Sequence, residues 1–335
     1  MKNKALLVYS FRTISQGGTQ MEGLTDYITK SDWEDILTAT FVLIDDAWLT
    51  LPKETLPPRH RGPAPEMSDS EVVTVALFID SVFDGDEEKG LAFLRQYHPT
   101  LFPALLDDSR FNRRRRDLSA AMEALRCHFR DAWREAHPQD LEVAFLRIID
   151  SAPIPICTYS RGSRCQSIPL EQRDEYFGVC TSKKTKFFGP RCHATVYLDQ
   201  MVDSWCLAPG SYHDLRPVPA LLEDQRNLAA IGDKAYISSD VDSQVWENGE
   251  HLLLALRKVN QKEQWPTGIQ RILGKIRHRI ETAFSVLTTS FNLDKLGSRS
   301  FSGMVARAVT RVLAYTLSFF LAEILTPDAI AYRPC

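Results

Sequence analysis

Three acidic residues stand out because of the secondary structure predicted around them. Asp150 ends an apolar, β-branched run, and Asp233 follows a second apolar run. Both runs are typical of buried strands, and side chains at strand ends of an open α/β sheet point into the crevice where ligands bind. Glu281 lies at the border of the apolar stripe of a predicted helix, so it can face the same sheet. We therefore expect the three carboxylates to converge.

Carboxylates grouped in this way are suited to hold divalent cations. Mg²⁺ and Mn²⁺ prefer oxygen ligands, and two-metal sites hold their ions roughly 3.5–4 Å apart. We expect Asp150, Asp233 and Glu281 to be the catalytic residues and the ligands of two Mg²⁺ (or Mn²⁺) ions per active site. One ion would activate a water or hydroxyl, and the other would stabilise the leaving oxygen. A single aspartate after a strand is more often a turn or cap residue, so the prediction depends on all three together.

The first 140 residues predict an all-helical region. Apolar residues recur at helical spacing, and Ser68 with Glu71 three residues later forms a capping-box pattern before an apolar run. Five prolines between Pro52 and Pro65 predict a stiff, extended linker. The predicted helices cover 23–50, the segment after Ser68, 87–97 and 109–136.

The pattern changes near Val143 from helical to mixed. The predicted order is strand 145–150, an irregular stretch 158–186, strands 191–198 and 201–207 joined by a turn at Asp199-Gln200, helix 213–226, strand 228–231, helix 238–248, strand 251–256 and helix 268–290. This order favours an α/β (α+β) fold, an RNase H-like mixed sheet flanked by helices, over a doubly wound sheet. The apolar run 312–325 is too short and too polar to span a bilayer and predicts a buried core helix.

The net charge of −3 is unevenly distributed along the chain. The first 100 residues carry 9 Lys and Arg against 16 Asp and Glu, so the remainder is net basic. Five arginines fall within the seven residues 110–116, and eight Lys or Arg against two acids lie in 271–311. Contact with phosphates would relieve the repulsion within such clusters, although a solvated helix face is the plainer alternative. The residues that we expect to contact DNA are Arg110, Arg113, Arg114, Arg115, Arg116, Lys183, Lys184, Lys186, Arg277, Arg279, Lys295 and Arg299.

Other side chains carry weaker signals. The seven cysteines form no CxxC pair, so neither a zinc ribbon nor a disulfide framework is indicated. The pair His213-Asp214 fits a metal phosphohydrolase, but Asp214 is more often just a first-turn helix residue. Lys234 and Tyr236 could position DNA or have a structural role.

Three segments together resemble the signature regions of bacterial insertion-sequence transposases of the DDE superfamily. They are IIDSAPIPIC at 148–157, GDKAYIS at 232–238 and RHRIETAFSVL at 277–287. The resemblance covers roughly 141–325 well and the helical N-terminal part loosely. It implies that the two aspartates and the glutamate of the signature are Asp150, Asp233 and Glu281.

The spacing within the signature limits what the core contains. Asp233 follows Asp150 by 83 residues, and Glu281 follows Asp233 by 48, which leaves no room for a large insertion domain before the glutamate. Related transposases often carry a tyrosine before the arginine and a lysine after the glutamate, where this chain has Gly274 and Thr288.

The resemblance implies a DNA transposase that binds the terminal repeats of its own element, hydrolyses a phosphodiester and joins the freed end to target DNA. Its expected partners are double-stranded DNA and a second copy of the chain in a homodimer on DNA, with no membrane and a cytoplasmic, nucleoid-associated location. A degenerate or domesticated transposase that only binds DNA, and an RNase H-like nuclease without strand transfer, remain as alternatives. We expect an N-terminal helical segment and linker at 1–65, a helical DNA-binding region at 66–140 and the catalytic domain at 141–335.

Overall fold

A computed structural model describes residues 33–58, 63–140, 142–180, 184–257 and 264–325. They form two compact units, a helical one that extends to Trp133 and resumes at Val286, and a second one over Arg134–Ser285. The elements in chain order are α1 (Trp33–Trp48), α2 (Asp69–Val82), α3 (Glu87–Tyr97), α4 (Asp108–Asp117), α5 (Ser119–Ala136), β1 (Leu146–Pro153), β2 (Phe177–Cys180), β3 (Thr185–Phe188), β4 (Pro190–Val196), β5 (Val202–Pro209), α6 (Val218–Leu222), β6 (Ala229–Gly232), α7 (Ser239–Gly249), β7 (Leu252–Ala255), α8 (Thr267–Thr289) and α9 (Phe301–Leu325).

The helical unit is built around α2 and α9. Helix α2 packs against α1, α3, α4 and α9, and most of its residues are buried. By length and composition α9 could cross a membrane, but 83% of its apolar stretch is buried inside the protein. That burial is expected of a core helix, as the sequence predicts for 312–325, although the helix begins earlier, at Phe301.

The predicted capping box at the start of α2 is confirmed. The Ser68 hydroxyl accepts a hydrogen bond from the Glu71 N–H at 3.1 Å, and the Glu71 carboxylate accepts one from the Ser68 N–H at 2.5 Å. Two of the N–H groups that a helix start leaves unpaired are thereby satisfied.

Replacing this cap gives a testable change in stability. Ser68→Ala removes the acceptor for the Glu71 N–H, so we expect the free energy of unfolding to fall by about 1 kcal/mol in urea denaturation. Ser68→Asp retains a capping oxygen and is the matched control, expected to stay close to wild type. An equal loss in both variants would contradict the capping explanation.

The second unit contains a five-stranded sheet in the order β5-β4-β1-β6-β7. Strands β5, β4 and β1 pair antiparallel, whereas β1, β6 and β7 pair in parallel. Helices α6 and α7 cover apolar residues of this sheet in one buried cluster that includes Ile149, Val218 and Val245. This mixed sheet with flanking helices confirms the predicted RNase H-like α+β fold.

Two local predictions differ from the structure. The stretch 158–186, predicted to be irregular, contains two short 3₁₀ turns and contributes to the antiparallel pair β2–β3. The helix predicted over 213–226 is reduced to the five residues of α6. Pro217 explains the late start, because a residue that precedes a proline is disfavoured in the α conformation.

The chain after Ser285 returns to the helical unit. The predicted regions 1–65, 66–140 and 141–335 are functional assignments, and they stay predictions. Residues 23–32 of the helical prediction over 23–50 lie outside the described residues.

Candidate active site

Asp150 lies on β1, and Asp233 comes directly after β6, the strand that pairs with β1. The parallel register places Ile148 of β1 opposite Ile231 of β6, and two further steps along each strand lead to the two aspartates. Strand β1 does not end at Asp150, because Asp150 still pairs with Ala194 on the antiparallel side. The candidate site therefore lies at the C-terminal end of β6, beside the part of β1 that extends past that end. The pairing of the two strands brings both carboxylates to this end of β6.

Each of these aspartates has one carboxylate oxygen held by the backbone. Asp150 Oδ1 accepts a hydrogen bond from the Ser151 N–H at 2.8 Å. Asp233 precedes the 3₁₀ turn Lys234–Tyr236, and its Oδ1 accepts from the Ala235 N–H at 2.7 Å. Backbone donors thus fix both side chains in place.

The environment of Asp150 disfavours its ionised form. The pKa of Asp150 is raised to about 6, chiefly by burial and also by the negative charges of Asp233 and Asp214, which together outweigh the lowering effects of the Ser151 N–H and Arg277. Desolvation and a like charge both act against the carboxylate anion. A cation bound between Asp150 and Asp233 would reverse this penalty.

Glu281 is connected to Asp150 through Arg277. The Arg277 Nη2 donates to Glu281 Oε1 at 2.5 Å, and its Nη1 lies 3.6 Å from Asp150 Oδ2. The other oxygen of Glu281 lies 2.8 Å from His278 Nδ1. Helix α8 therefore brings the third acid to the same side of the sheet, with one guanidinium between it and the aspartates.

The residues present fit a divalent cation at this place. Asp150 and Asp233 are adjacent oxygen donors whose mutual repulsion a cation would relieve. Within the described residues no three His, Cys, Asp or Glu side chains are grouped as a ready metal site. Glu281 would join the two aspartates if Arg277 moved from between the carboxylates. The assignment of all three acids as metal ligands stays a prediction.

The structure adds Asp214 to this site. Asp214 Oδ1 accepts a hydrogen bond from the Ser151 hydroxyl at 2.6 Å and lies 4.0 Å from Arg191 Nη1. Arg191 also donates to the same Ser151 hydroxyl at 3.3 Å. The sequence leaves Asp214 open, either as part of a His213-Asp214 metal phosphohydrolase pair or, more often, as a first-turn helix residue. The signal that could have found it is its place before Pro217, which marks a loop.

Two buried polar side chains lie next to these acids without hydrogen-bond partners among the described residues. They are His193, whose Nδ1 is 3.9 Å from Asp214 Oδ1, and the hydroxyl of Tyr236. Burial lowers the pKa of His193 to about 4 and raises the pKa of Tyr236, to which Asp150, Asp214 and Asp233 also contribute. Burial of Tyr236 beneath Gly232 gives it a structural role, because a Cβ at Gly232 would lie 2.7 Å from its ring.

The arginines of 110–116 do not share one exposed face. Arg110 and Arg113 are exposed on α4, whereas Arg114 is ion-paired with Asp69. Arg115 is only 1% exposed and pairs with buried acids. Contact of this helix with DNA stays a prediction, and its accessible charges are chiefly Arg110 and Arg113.

The remaining basic residues of the prediction also differ in their surroundings. Lys184 and Lys186 are exposed beside β3, and Lys183 lies outside the described residues. Arg279 donates to the Leu198 carbonyl oxygen at 2.5 Å, and Lys295 to Asn292 Oδ1 at 3.2 Å. Lys295 and Arg299 are exposed in the helical unit.

The raised pKa of Asp150 predicts a pH-dependent stability. In metal-free protein this group contributes stability that is fully present below about pH 3.8 and is lost as the pH rises through about 6. Asp150→Asn removes the charge, so at pH 8 in EDTA we expect its free energy of unfolding to exceed that of wild type by about 3 kcal/mol. Urea denaturation at pH 8 and pH 4 measures the difference, which should shrink at pH 4. A difference independent of pH would contradict the burial of a charged Asp150.

Comparison with known proteins agrees with this geometry. The family model described as Transposase DDE domain matches residues 146–317, about half of the chain. No curated protein and no solved structure matches the chain. The matched segment contains the five-stranded sheet, Asp150, Asp233 and Glu281. The chain therefore belongs to the DDE transposase domain family.

Proposed function

We propose that the chain is an active DNA transposase that binds the terminal repeats of its element, cuts a phosphodiester bond and joins the freed end to target DNA. The family assignment supports transposase-type nuclease activity in general. The observation that supports the finer proposal is that Asp150 lies on β1 and Asp233 just after its paired strand β6, and that Arg277 links Asp150 to Glu281.

The reaction requires two transfers of the same kind. In the first, water attacks the phosphorus at the element's end, and the 3′-oxygen leaves and is protonated. In the second, that 3′-hydroxyl attacks a phosphodiester of the target, forms the new bond and releases a target 3′-hydroxyl. Divalent cations held by these acids would supply the Lewis acidity for activating the nucleophile and stabilising the leaving oxygen.

The acidic residues of the chain would bind the metal ions, and Arg277 would bind and orient the DNA. Asp150 and Asp233 would hold Mg²⁺ (or Mn²⁺), because a backbone N–H fixes one oxygen of each and thereby orients the other. Glu281 completes the set when Arg277 leaves it. The guanidinium of Arg277 is then available for a DNA phosphate, which it can contact through two parallel hydrogen bonds.

DNA provides the partner surface and a second copy of the chain completes the assembly. Transposition holds both element ends together, so a homodimer on DNA is the expected working form. Exposed Arg110 and Arg113 on α4 and Arg279 on α8 supply positive charge for the phosphate backbone.

A strand-transfer assay tests this proposal. Purified chain, a duplex carrying the element's end and a supercoiled plasmid are incubated with Mg²⁺, and the products are resolved by size. Cleavage followed by joining to the plasmid is the expected result. Cleavage without joining would replace the proposal with a nuclease, and retarded duplex with no cleavage would replace it with a DNA-binding protein.

A further inference from the structure

A pocket of about 360 Å³ in the helical unit has four arginines and one acid among its lining residues. It lies at the C-terminal half of α4, the loop 297–300 and the first turns of α9. We call it the arginine pocket, after Arg115, Arg116, Arg299 and Arg307, with Asn112 and Glu87 also in its wall.

The only acid of the arginine pocket is already fully engaged. Among the described residues, Glu87 Oε1 is contacted by Arg115 Nη1 at 3.1 Å and by Arg307 Nη2 at 3.4 Å. Its Oε2 accepts from Asn112 Nδ2 at 2.8 Å. Arg116 forms no ion pair within the described part of the chain, and Arg116 Nε is buried without a hydrogen-bond partner there. The pocket therefore has more positive than negative charge.

The excess of positive over negative charge extends to the buried residues next to the pocket. Arg115 is 1% exposed, and its Nη2 pairs with the buried carboxylate of Asp80, which also lies 3.8 Å from Arg311 Nε. The Arg115 Nε, like that of Arg116, has no partner among the described residues. Three arginines, Arg115, Arg307 and Arg311, thus share the ion-pairing acids Asp80 and Glu87, and the charges of Asp294 and Asp86 also act on Arg311 and Arg307 respectively. Uncompensated buried charge is costly, so an anion in the pocket would be stabilising.

The loop before α9 adds the Ser300 hydroxyl to this wall, while the Ser298 hydroxyl already donates to the Ser300 carbonyl oxygen at 2.9 Å. Gly297 has a φ of +49°, and the Ser300 hydroxyl accepts a hydrogen bond from the Gly303 N–H at 3.2 Å. A Cβ on Gly303 would lie 2.4 Å from the Ser298 hydroxyl oxygen, so the close fit of this loop requires a glycine there. The 25-residue helix α9 begins at this loop, and its N-terminal end favours negative charge.

We propose that the arginine pocket binds a phosphate group of a DNA strand, an inference that rests on DNA being the substrate of the proposed function. Guanidinium groups, serine hydroxyls and a helix N-terminus are the groups that recognise phosphate. The arginine pocket belongs to the helical unit, whereas Asp150 and Asp233 belong to the second unit. It gives Arg115 and Arg116 a shared function although the first of them is buried.

Thermal unfolding in inorganic phosphate tests occupancy of the pocket without any DNA chemistry. Sodium chloride at equal ionic strength is the reference. Phosphate is expected to raise the melting temperature of wild type and of Lys53→Gln, an exposed charge change in the same unit. In Arg116→Gln and Arg299→Gln the rise should be at most about half as large. The same rise in all four chains, or none in wild type, would overturn the proposal.

The affinity for duplex DNA shows whether the pocket binds a phosphate group of DNA or a free phosphate ion. Arg116→Gln and Arg299→Gln are each expected to bind a DNA duplex about ten-fold more weakly than wild type does, because a charge-assisted hydrogen bond to a phosphate is lost. The slope of log affinity against log salt should fall by about 0.9, the value for one phosphate contact. Lys53→Gln should match wild type in both. Loss of the phosphate response with unchanged duplex binding would overturn the DNA assignment in favour of a small phosphate ligand.

A catalytic variant separates this proposal from the proposed function. Asp233→Asn is expected to keep the responses to phosphate and duplex, because Asp233 lies in the other unit. Wild type that binds phosphate and duplex but does not cut would refute transposition and retain the pocket. If wild type cuts and joins DNA, but Arg116→Gln and Arg299→Gln respond to phosphate and duplex as wild type does, the pocket proposal is refuted and transposition is retained.

Discussion

Asp233→Asn is expected to lower Mg²⁺-dependent cleavage of element-end DNA by at least about 10³-fold, since loss of an anionic metal ligand removes several kcal/mol of transition-state stabilisation. The asparagine oxygen can still accept the Ala235 N–H that Asp233 now binds at 2.7 Å, so the turn after β6 should keep its structure. Single-turnover cleavage rates of the folded variant and of wild type measure the effect.

The matched control for this prediction is Asp224→Asn. Asp224 is an exposed aspartate of the same unit, so the substitution makes the same chemical change away from the proposed site. Its cleavage rate should stay close to that of wild type. Cleavage by Asp233→Asn at a rate near that of the control would exclude Asp233 as a metal ligand, and with it the three-acid site.

Asp80→Asn is expected to lower the free energy of unfolding of the chain by about 3–5 kcal/mol. The Asp80 side chain is fully buried and is shared by Arg115 and Arg311, both at most 1% exposed. Removing one partner of a buried ion pair leaves the remaining charge uncompensated, which is the costly case. Urea denaturation followed by circular dichroism measures the change.

Asp108→Asn provides the comparison for a surface ion pair of the same unit. Asp108 lies 3.4 Å from Arg95, and both side chains are at least 40% exposed, so a loss below about 1 kcal/mol is expected. Adding Arg311→Met to Asp80→Asn removes one excess charge and should recover part of the stability. If Asp80→Asn costs no more than Asp108→Asn, the buried network does not stabilise the helical unit.

Much of the local structure follows from the sequence alone, because the signals are local. The capping box at Ser68 and Glu71 needs only residues within one helical turn, and the apolar runs before Asp150 and Asp233 identify their strands directly. The turn at Asp199-Gln200 between β4 and β5 is also local, with Gln200 at a φ of +77°. Helix α8 likewise follows from its apolar period.

What surrounds each charged side chain could not be predicted in this way. The sequence presents 110–116 as one basic run, but Arg115 lies within an ion-pair network whose acids are 28 and 35 residues earlier. Asp214 enters the site through a hydrogen bond to Ser151, 63 residues away. Such pairs depend on how distant segments pack, and no periodicity within one segment encodes them.

The sequence by itself identified the three candidate acids, the strands and helix on which or next to which they lie, and the family that this pattern resembles. Only the tertiary structure decided that β1, which carries Asp150, pairs in parallel with β6, which precedes Asp233. It also decided that Arg277 bridges Asp150 and Glu281, and that the chain after Ser285 rejoins the helical unit. The physical reason is that secondary structure is set by neighbours along the chain, whereas the partner and burial of a charge are set by neighbours in space.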